Sequence, residues 1–218
     1  MKKSLLVAIT LFILLTTISS KQKIIFSKFN VKQVNIENNF LLKKEEITNL
    51  LTPIFNKNII FLKSSEIEKL LTQNNLIESF NIKKKYPSSL KIRIYEKKPI
   101  AILFDKKKKY YLSDKIELIE FNNFTIFNNL PHVIGNKNEF KIFYNNLVKI
   151  NFPFNKVKKY TLFESNRWDL ETLDSNIIKL PPQNYTRSLE NYLKIKNRKD
   201  FEKYKVFDFR ISNQLILK

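Results

Sequence analysis

The spacing of apolar and polar residues divides the chain into a short apolar run and a long globular region. Residues 5–18 carry no charged side chain, and the uncharged stretch from Ser4 to Ser20 covers 17 positions. As an α-helix rising about 1.5 Å per residue this stretch spans roughly 25 Å, slightly less than the ~30 Å hydrocarbon core of a bilayer. A helix that is apolar on every face is a poor candidate for a core helix of a small domain.

Two interpretations of this run remain open from the residues alone, a single-pass transmembrane helix and a cleaved signal peptide. Lys2-Lys3 before the run and Ser19-Ser20 after it suit a signal peptide. In a spanning helix, Lys3 and Lys21 would instead reach the headgroups from either end. The membrane interpretation places these side chains in the hydrocarbon: Leu5, Leu6, Val7, Ile9, Leu11, Phe12, Ile13, Leu14, Leu15 and Ile18.

Residues 29–98 have the pattern of a small α+β domain with the element order β-α-α-β-β. Strict alternation of apolar and polar residues predicts strands, and apolar residues spaced three and four apart predict helices. The two predicted helices can cover one face of a three-stranded sheet. Ser65 followed by Glu68 predicts a capping box in the second helix. The predicted elements are a strand through Val34 and Ile36, helices over 43–51 and from Ser64, a strand through Phe80 and Ile82, and a strand over 90–96.

In residues 99–218, apolar and polar residues alternate over several short segments, with two amphipathic helical patterns between them. This pattern predicts a mostly antiparallel β-domain with flanking helices. The fold class expected for the whole chain is therefore α+β. The predicted elements are strands at 100–104 and 110–112, a helix over 136–150, a hairpin over 167–181, a helix over 185–195, and a final pair of strands, Phe207–Ile211 and Gln214–Leu217, about a turn at Ser212-Asn213.

Composition changes this picture mainly by excluding function classes. A net charge of +20 suggests binding to nucleic acid. The composition argues against it, because only five of the 40 basic residues are Arg, the residue that dominates phosphate and base recognition. The chain has no Cys and one His, His132, so neither a disulfide framework nor a zinc site is expected. We find no nucleophile elbow, phosphate loop or catalytic carboxylate pair. The excess positive charge favours anionic lipid headgroups or acidic partners.

Several local motifs, in a fixed order behind the apolar run, resemble the FtsQ/DivIB family of bacterial cell-division proteins. The order of the elements over 29–98 resembles the POTRA domain of that family. The sequence departs from the family pattern at Lys97, where Arg is usual, in the hairpin turn 174–176, which lacks Gly, and at Gln214, where a base is usual. The resembling segments are Val34–Asn38, Tyr86–Ile92, Glu96–Ala101, Leu130–Gly135, Arg167–Pro181 and Val206–Lys218.

The resemblance implies a scaffold of the essential type in the divisome, without enzymatic activity, cofactor, metal, nucleic acid or small-molecule substrate. It implies a cytoplasmic tail at 1–4, a transmembrane helix at 5–20, a POTRA domain at 29–98 and a β-domain at 99–218. The two domains would be periplasmic, at the septum of the inner membrane, linking early and late division proteins. FtsB/FtsL-type partners would bind the C-terminal strands through Asp208, Phe209, Arg210, Ile211, Gln214, Leu215, Ile216 and Leu217.

Other functions remain as alternatives to division. Another POTRA-bearing envelope protein, serving assembly or secretion, is the first alternative, although such proteins usually carry several POTRA repeats and one such unit is recognisable here. A further alternative, that the chain is a secreted basic protein that binds nucleic acid or glycan, is supported by the charge alone. The resemblance also favours an uncleaved anchor over a signal peptide, a choice that the apolar run does not decide by itself.

Overall fold

The computed structural model describes residues 2–16, 27–211 and 214–218. The apolar run begins with helix α1 (Lys2–Thr16), whose described apolar side chains from Leu5 to Leu14 are exposed. Within the described residues, no helix is both long and apolar enough to cross a membrane. The end of the expected span, residues 17–20 with Ile18, lies outside the described residues.

The chain divides into two units, residues 1–96 and 97–218. In the first unit the predicted order β-α-α-β-β is confirmed. The elements are β1 (Gln33–Glu37), α2 (Lys44–Leu50), α3 (Ser64–Leu71), β2 (Ile77–Lys85) and β3 (Ser89–Glu96). The sheet order is β1-β3-β2, with β1 parallel to β3 and β2 antiparallel to β3.

The core of the first unit follows from the periodicity of its elements. Ile47 of α2 and Ile67 and Leu71 of α3 are fully buried, as the helical spacing predicts. The alternate residues Leu90, Ile92 and Ile94 of β3 are fully buried as well, because successive side chains of a strand point to opposite faces. One face of the three-stranded sheet therefore carries the core.

The capping box expected from Ser65 and Glu68 is wrong. Helix α3 begins at Ser64, one residue before the expected cap, so Ser65 already lies inside the helix. The carboxylate of Glu66 accepts the backbone N–H of Lys63 at 3.3 Å. Glu66 therefore satisfies one of the free N–H groups at this end of the helix, the role that the pattern assigned to Glu68.

The second unit is built on one sheet of nine described strands. Its elements are β4 (Pro99–Asp105), β5 (Lys108–Ser113), β6 (Leu118–Glu120), β7 (His132–Ile134), α4 (Lys137–Lys149), β8 (Val157–Leu162), β9 (Trp168–Thr172), β10 (Ile177–Lys179), α5 (Tyr185–Ile195), β11 (Val206–Asp208) and β12 (Ile216–Leu217). The strand order is β12-β11-β10-β9-β8-β7-β4-β5-β6. Five of the eight pairings between these described strands are antiparallel, and three, β4·β7, β7·β8 and β10·β11, are parallel.

Two helical crossovers explain the parallel pairs β7·β8 and β10·β11, since parallel neighbours need a long connection, usually a helix. Helix α4 connects β7 to β8, and its buried Phe143 stacks on Trp168 with ring centroids 4.9 Å apart. Helix α5 connects β10 to β11, and its Tyr192 meets Phe207 edge-on at 5.0 Å. Aromatic packing of this kind fixes α5 against β11 and so positions the end of the sheet.

Candidate partner-binding edge

Strand β12 is the last strand on one side of the nine-stranded sheet and pairs with β11. Val206 and Lys218 exchange two backbone hydrogen bonds, with the Val206 N–H donating at 2.9 Å and the Lys218 N–H at 3.1 Å. Antiparallel ladders alternate between hydrogen-bonded and non-hydrogen-bonded pairs, so Phe207 and Leu217 form a non-hydrogen-bonded pair. The N–H and C=O of Leu217 therefore point away from β11, outward from the sheet edge.

The terminal strands are shorter than the expected Phe207–Ile211 and Gln214–Leu217, and that prediction is wrong in its bounds. The structure has Val206–Asp208 and Ile216–Leu217 instead, while the turn expected at Ser212-Asn213 lies outside the described residues. The reason lies in Asp208, whose side chain accepts the backbone N–H of Arg210 at 3.1 Å. A side chain that bonds the backbone two residues on forms a turn and ends the strand.

Asp208 and Arg210 also form an ion pair through their side chains. Nε of Arg210 lies 2.9 Å from Oδ1 of Asp208, and Nη2 lies 2.7 Å from Oδ2. The side chain of Asp208 is 8% exposed and that of Arg210 is 44% exposed. Hydrogen bonds from Arg210 hold the pKa of the Asp208 carboxyl below its ordinary value, against a smaller opposing effect of burial.

The structure separates the eight expected partner-binding residues into buried and exposed groups. Asp208 and Phe209 are buried, and Leu215 and Leu217 pack in part against the core of the second unit. These four residues hold the segment in place. The exposed members are Arg210, Ile211, Gln214 and Ile216.

A groove of about 800 Å³ lies between α5 and the C-terminal segment. Phe209, Ile195 and Leu215 give it an apolar part, and four basic residues are among the other residues that line it. None of the 15 described residues that line it is acidic, so its electrostatic field attracts negative groups. Its basic residues are Arg187, Lys194, Arg198 and Arg210.

The sequence interpretation missed Arg187, Lys194 and Arg198 as site residues. A signal was present in the composition, because the chain has only five arginines and three of them line this one groove. The lysine background masked that signal. Arg differs from Lys in offering a planar fork that matches a carboxylate, so clustered arginines in a chain rich in lysine indicate a binding surface.

The structure places His132, the single histidine, in strand β7. Its ring meets Phe104 edge-on with centroids 5.0 Å apart. Partial burial, and then the positive charges of Lys109, Lys159 and Lys158, lower the pKa of His132 below its ordinary value of 6.5. Within the described part of the chain, no cluster of three or more His, Asp or Glu residues could hold a metal ion.

Comparison with known proteins shows which proteins this chain is similar to. A family profile described as "POTRA domain, FtsQ-type" matches residues 29–97. The chain is 26% identical over 196 residues to a cell division protein FtsQ of Rickettsia bellii (strain RML369-C), and 27% identical over 192 residues to one of Rickettsia conorii (strain ATCC VR-613 / Malish 7). Each alignment covers 85% of this chain and 71% of the relative.

Among solved structures, the major extracytoplasmic domain of the cell division protein DivIB from Geobacillus stearothermophilus aligns with a TM-score of 0.34 and 12% identity. That alignment covers 49% of this chain and 96% of that chain. The sequence relationships and the FtsQ-type POTRA domain at residues 29–97 confirm that the chain resembles the FtsQ/DivIB family of bacterial cell-division proteins.

Proposed function

We propose that this chain is a cell-division protein that acts as a scaffold of the divisome without enzymatic activity. The support is the similarity to proteins named cell division protein FtsQ over 85% of the chain. The FtsQ-type POTRA domain supports it as well. These relatives favour division over the alternative role in envelope protein assembly or secretion.

The same proposal makes the apolar run an uncleaved anchor in the inner membrane. Residues 1–4 would be cytoplasmic, 5–20 would span the bilayer, and the domains at 29–98 and 99–218 would be periplasmic at the septum. The support is the exposure of α1, where the described side chains from Leu5 to Leu14 include eight large apolar residues that are each at least 49% exposed. Apolar surface of this kind is unfavourable in water and favourable in hydrocarbon.

N-terminal sequencing of the mature protein tests the anchor. An intact N-terminus is expected, together with activity of a reporter fused after Lys218 only outside the cytoplasm. A mature protein that starts at Ser20 or Lys21 would instead identify the run as a signal peptide.

The partner-binding role rests on the outward-facing N–H and C=O of Leu217 at the edge of the nine-stranded sheet. An unpaired edge accepts an incoming strand through main-chain hydrogen bonds. FtsB/FtsL-type partners would add a strand beside β12, and the neighbouring basic groove would hold acidic side chains of the same partner. The exposed Ile211 and Ile216 would give this contact apolar surface.

Co-purification from native membranes tests this function most simply. Wild-type chain is expected to retain an FtsB/FtsL-type partner, and a chain with Leu217→Pro is expected to lose it. Purification of the wild-type chain with secretion or outer-membrane assembly proteins, and without division proteins, would favour the alternative.

A further inference from the structure

Three segments of the POTRA domain meet at the end where the chain enters the domain. The Val31 N–H donates to the carbonyl oxygen of Lys57 at 2.9 Å, and the Ile59 N–H donates to that of Phe29 at 2.8 Å. The Lys32 N–H donates to the carbonyl oxygen of Ser88 at 2.8 Å. We call this surface the N-terminal end of the domain. It is formed by residues 27–33, 57–63 and 83–89.

Large apolar side chains are exposed at the N-terminal end. Phe61 is 72% exposed, Tyr86 is 61% exposed and Ile60 is 45% exposed. The ammonium group of Lys84 donates to the carbonyl oxygen of Ile60 at 3.4 Å, which holds the 57–63 segment beside strand β2. Because these side chains add little to the core of the domain, their exposure points to contact with another surface.

The same end carries a strong positive charge. The segments 27–33, 57–63 and 83–89 contain seven lysines and no Asp or Glu. One of them, Lys57, is paired with Glu66 at 2.7 Å. The lysines are Lys28, Lys32, Lys57, Lys63, Lys83, Lys84 and Lys85.

We infer that the N-terminal end of the POTRA domain docks on the surface of an anionic lipid bilayer. Exposed aromatic residues suit the headgroup level, where one part of the ring is apolar and another is wet. The lysines complement the negative charge of anionic headgroups. The docking would hold the POTRA domain against the membrane.

Chain length favours a bilayer over a protein as the occupant. Ten residues, 17–26, separate the end of α1 from Ser27, the first residue of the N-terminal end. Ten residues reach at most about 36 Å. This inference rests on the proposed anchor, because an anchored α1 keeps the N-terminal end within that reach of the bilayer. Docking then occurs at a high effective concentration of lipid surface.

The opposite end of the domain provides an internal control. There the carboxylate of Glu96 accepts the backbone N–H groups of Phe40, Leu41 and Leu42 at 3.0, 2.8 and 3.0 Å. Phe40 is 82% exposed, so it matches Phe61 in residue type and exposure. Strand β2 separates the two ends, and Ser79 lies about 20 Å along that strand from Lys85 at ~3.3 Å per residue.

The test uses full-length protein in vesicles and exploits the absence of Cys from the chain. A fluorophore is attached to Ser64→Cys beside the N-terminal end, or to Ser79→Cys as the control, and is quenched by lipids that carry a spin label on the headgroup. In vesicles of phosphatidylethanolamine and phosphatidylglycerol, at least threefold stronger quenching is expected at position 64 than at position 79. Vesicles of phosphatidylcholine should reduce that difference, and so should high salt.

Variants separate docking from mere proximity to the membrane. Phe61→Ser should reduce quenching at position 64 at least twofold, and Phe40→Ser should leave it unchanged. Charge reversal through Lys83→Glu, Lys84→Glu and Lys85→Glu together should also reduce it. Two results would overturn the docking alone, provided that the protein stays in the vesicles after carbonate washing. One is equal quenching at positions 64 and 79, and the other is an equal effect of Phe61→Ser and Phe40→Ser. Loss of the protein on washing would overturn the anchor, and the docking with it.

Discussion

The guanidinium of Arg210 donates to both carboxylate oxygens of Asp208, at 2.9 Å from Nε to Oδ1 and 2.7 Å from Nη2 to Oδ2. The backbone N–H of Arg210 donates to the same carboxylate at 3.1 Å. Strand β11 ends at Asp208, and the residues that follow it line the basic groove. The ion pair therefore stabilises the backbone conformation of this segment. Much of the positive charge of Arg210 is therefore used within the chain.

Arg210→Glu should destabilise the fold as well as weaken partner binding. The substitution would place a second carboxylate beside that of Asp208, whose side chain is only 8% exposed. We expect the free energy of unfolding to fall, because a favourable pair with Asp208 is replaced by a repulsive one. Urea unfolding of both proteins measures it.

Arg187→Glu is the matched control, because Arg187 is exposed in the same groove. It should change the free energy of unfolding by less than about 0.5 kcal/mol and still weaken binding of an acidic partner. Equal stability of Arg210→Glu and wild type would show that the pair with Asp208 does not fasten the segment.

Asp208 should also give the fold a specific dependence on pH. Its folded pKa lies below the ordinary value because of Arg210, so its stabilising effect is complete above an unfolded pKa of about 3.9. The effect is lost as the pH falls through the lowered folded pKa. Wild type should therefore be more stable than Asp208→Asn at pH 6, and the two unfolding curves should converge at the acid end. A constant difference between pH 6 and pH 2 would contradict this assignment.

His132 should destabilise the fold in mild acid. Burial and nearby lysines lower its folded pKa below 6.5, so the unfolded chain takes up a proton first as the pH falls. Stability is then lost between about pH 6.5 and the lower folded pKa. His132 is the single histidine of the chain, so NMR titration of its ring reads the pKa directly. Lys109→Gln should raise that pKa, and an unchanged value would exclude Lys109 as a cause.

The two domains should behave as separate modules in limited proteolysis. The division between Glu96 and Lys97 in the structure lies close to Pro99, where the expected β-domain begins. Protease should leave a resistant fragment from about Phe29 to Lys98. Circular dichroism after cleavage serves as the control, since unfolding of both parts upon a cut near Pro99 would contradict the two-module description.

Local periodicity was sufficient to predict the elements of the POTRA domain, because its order β-α-α-β-β follows from patterns only a few residues long. Pairings between distant segments were not predictable in this way. The parallel pair β10·β11 joins residues on either side of helix α5. Arg187 and Arg210 line the same groove although they lie 23 residues apart in the chain. The terminal strands were predicted too long because alternation continues through Phe209–Ile211, where the Asp208 side chain turns the backbone.

Binding of a purified FtsB-type partner to full-length chain with Leu217→Pro tests the central claim most directly. The N–H of Leu217 points outward, so proline there removes a donor to the partner and spares the β11–β12 ladder. Ile216 faces Asp208 in a hydrogen-bonded pair, so Ile216→Pro is the contrasting variant that breaks the ladder itself. We predict that Leu217→Pro keeps a wild-type circular dichroism spectrum, is modestly less stable because the Leu217 side chain packs in part against the core, and binds the partner at least tenfold more weakly. Wild-type affinity in a folded Leu217→Pro protein would contradict this claim and show that the partner binds at another surface.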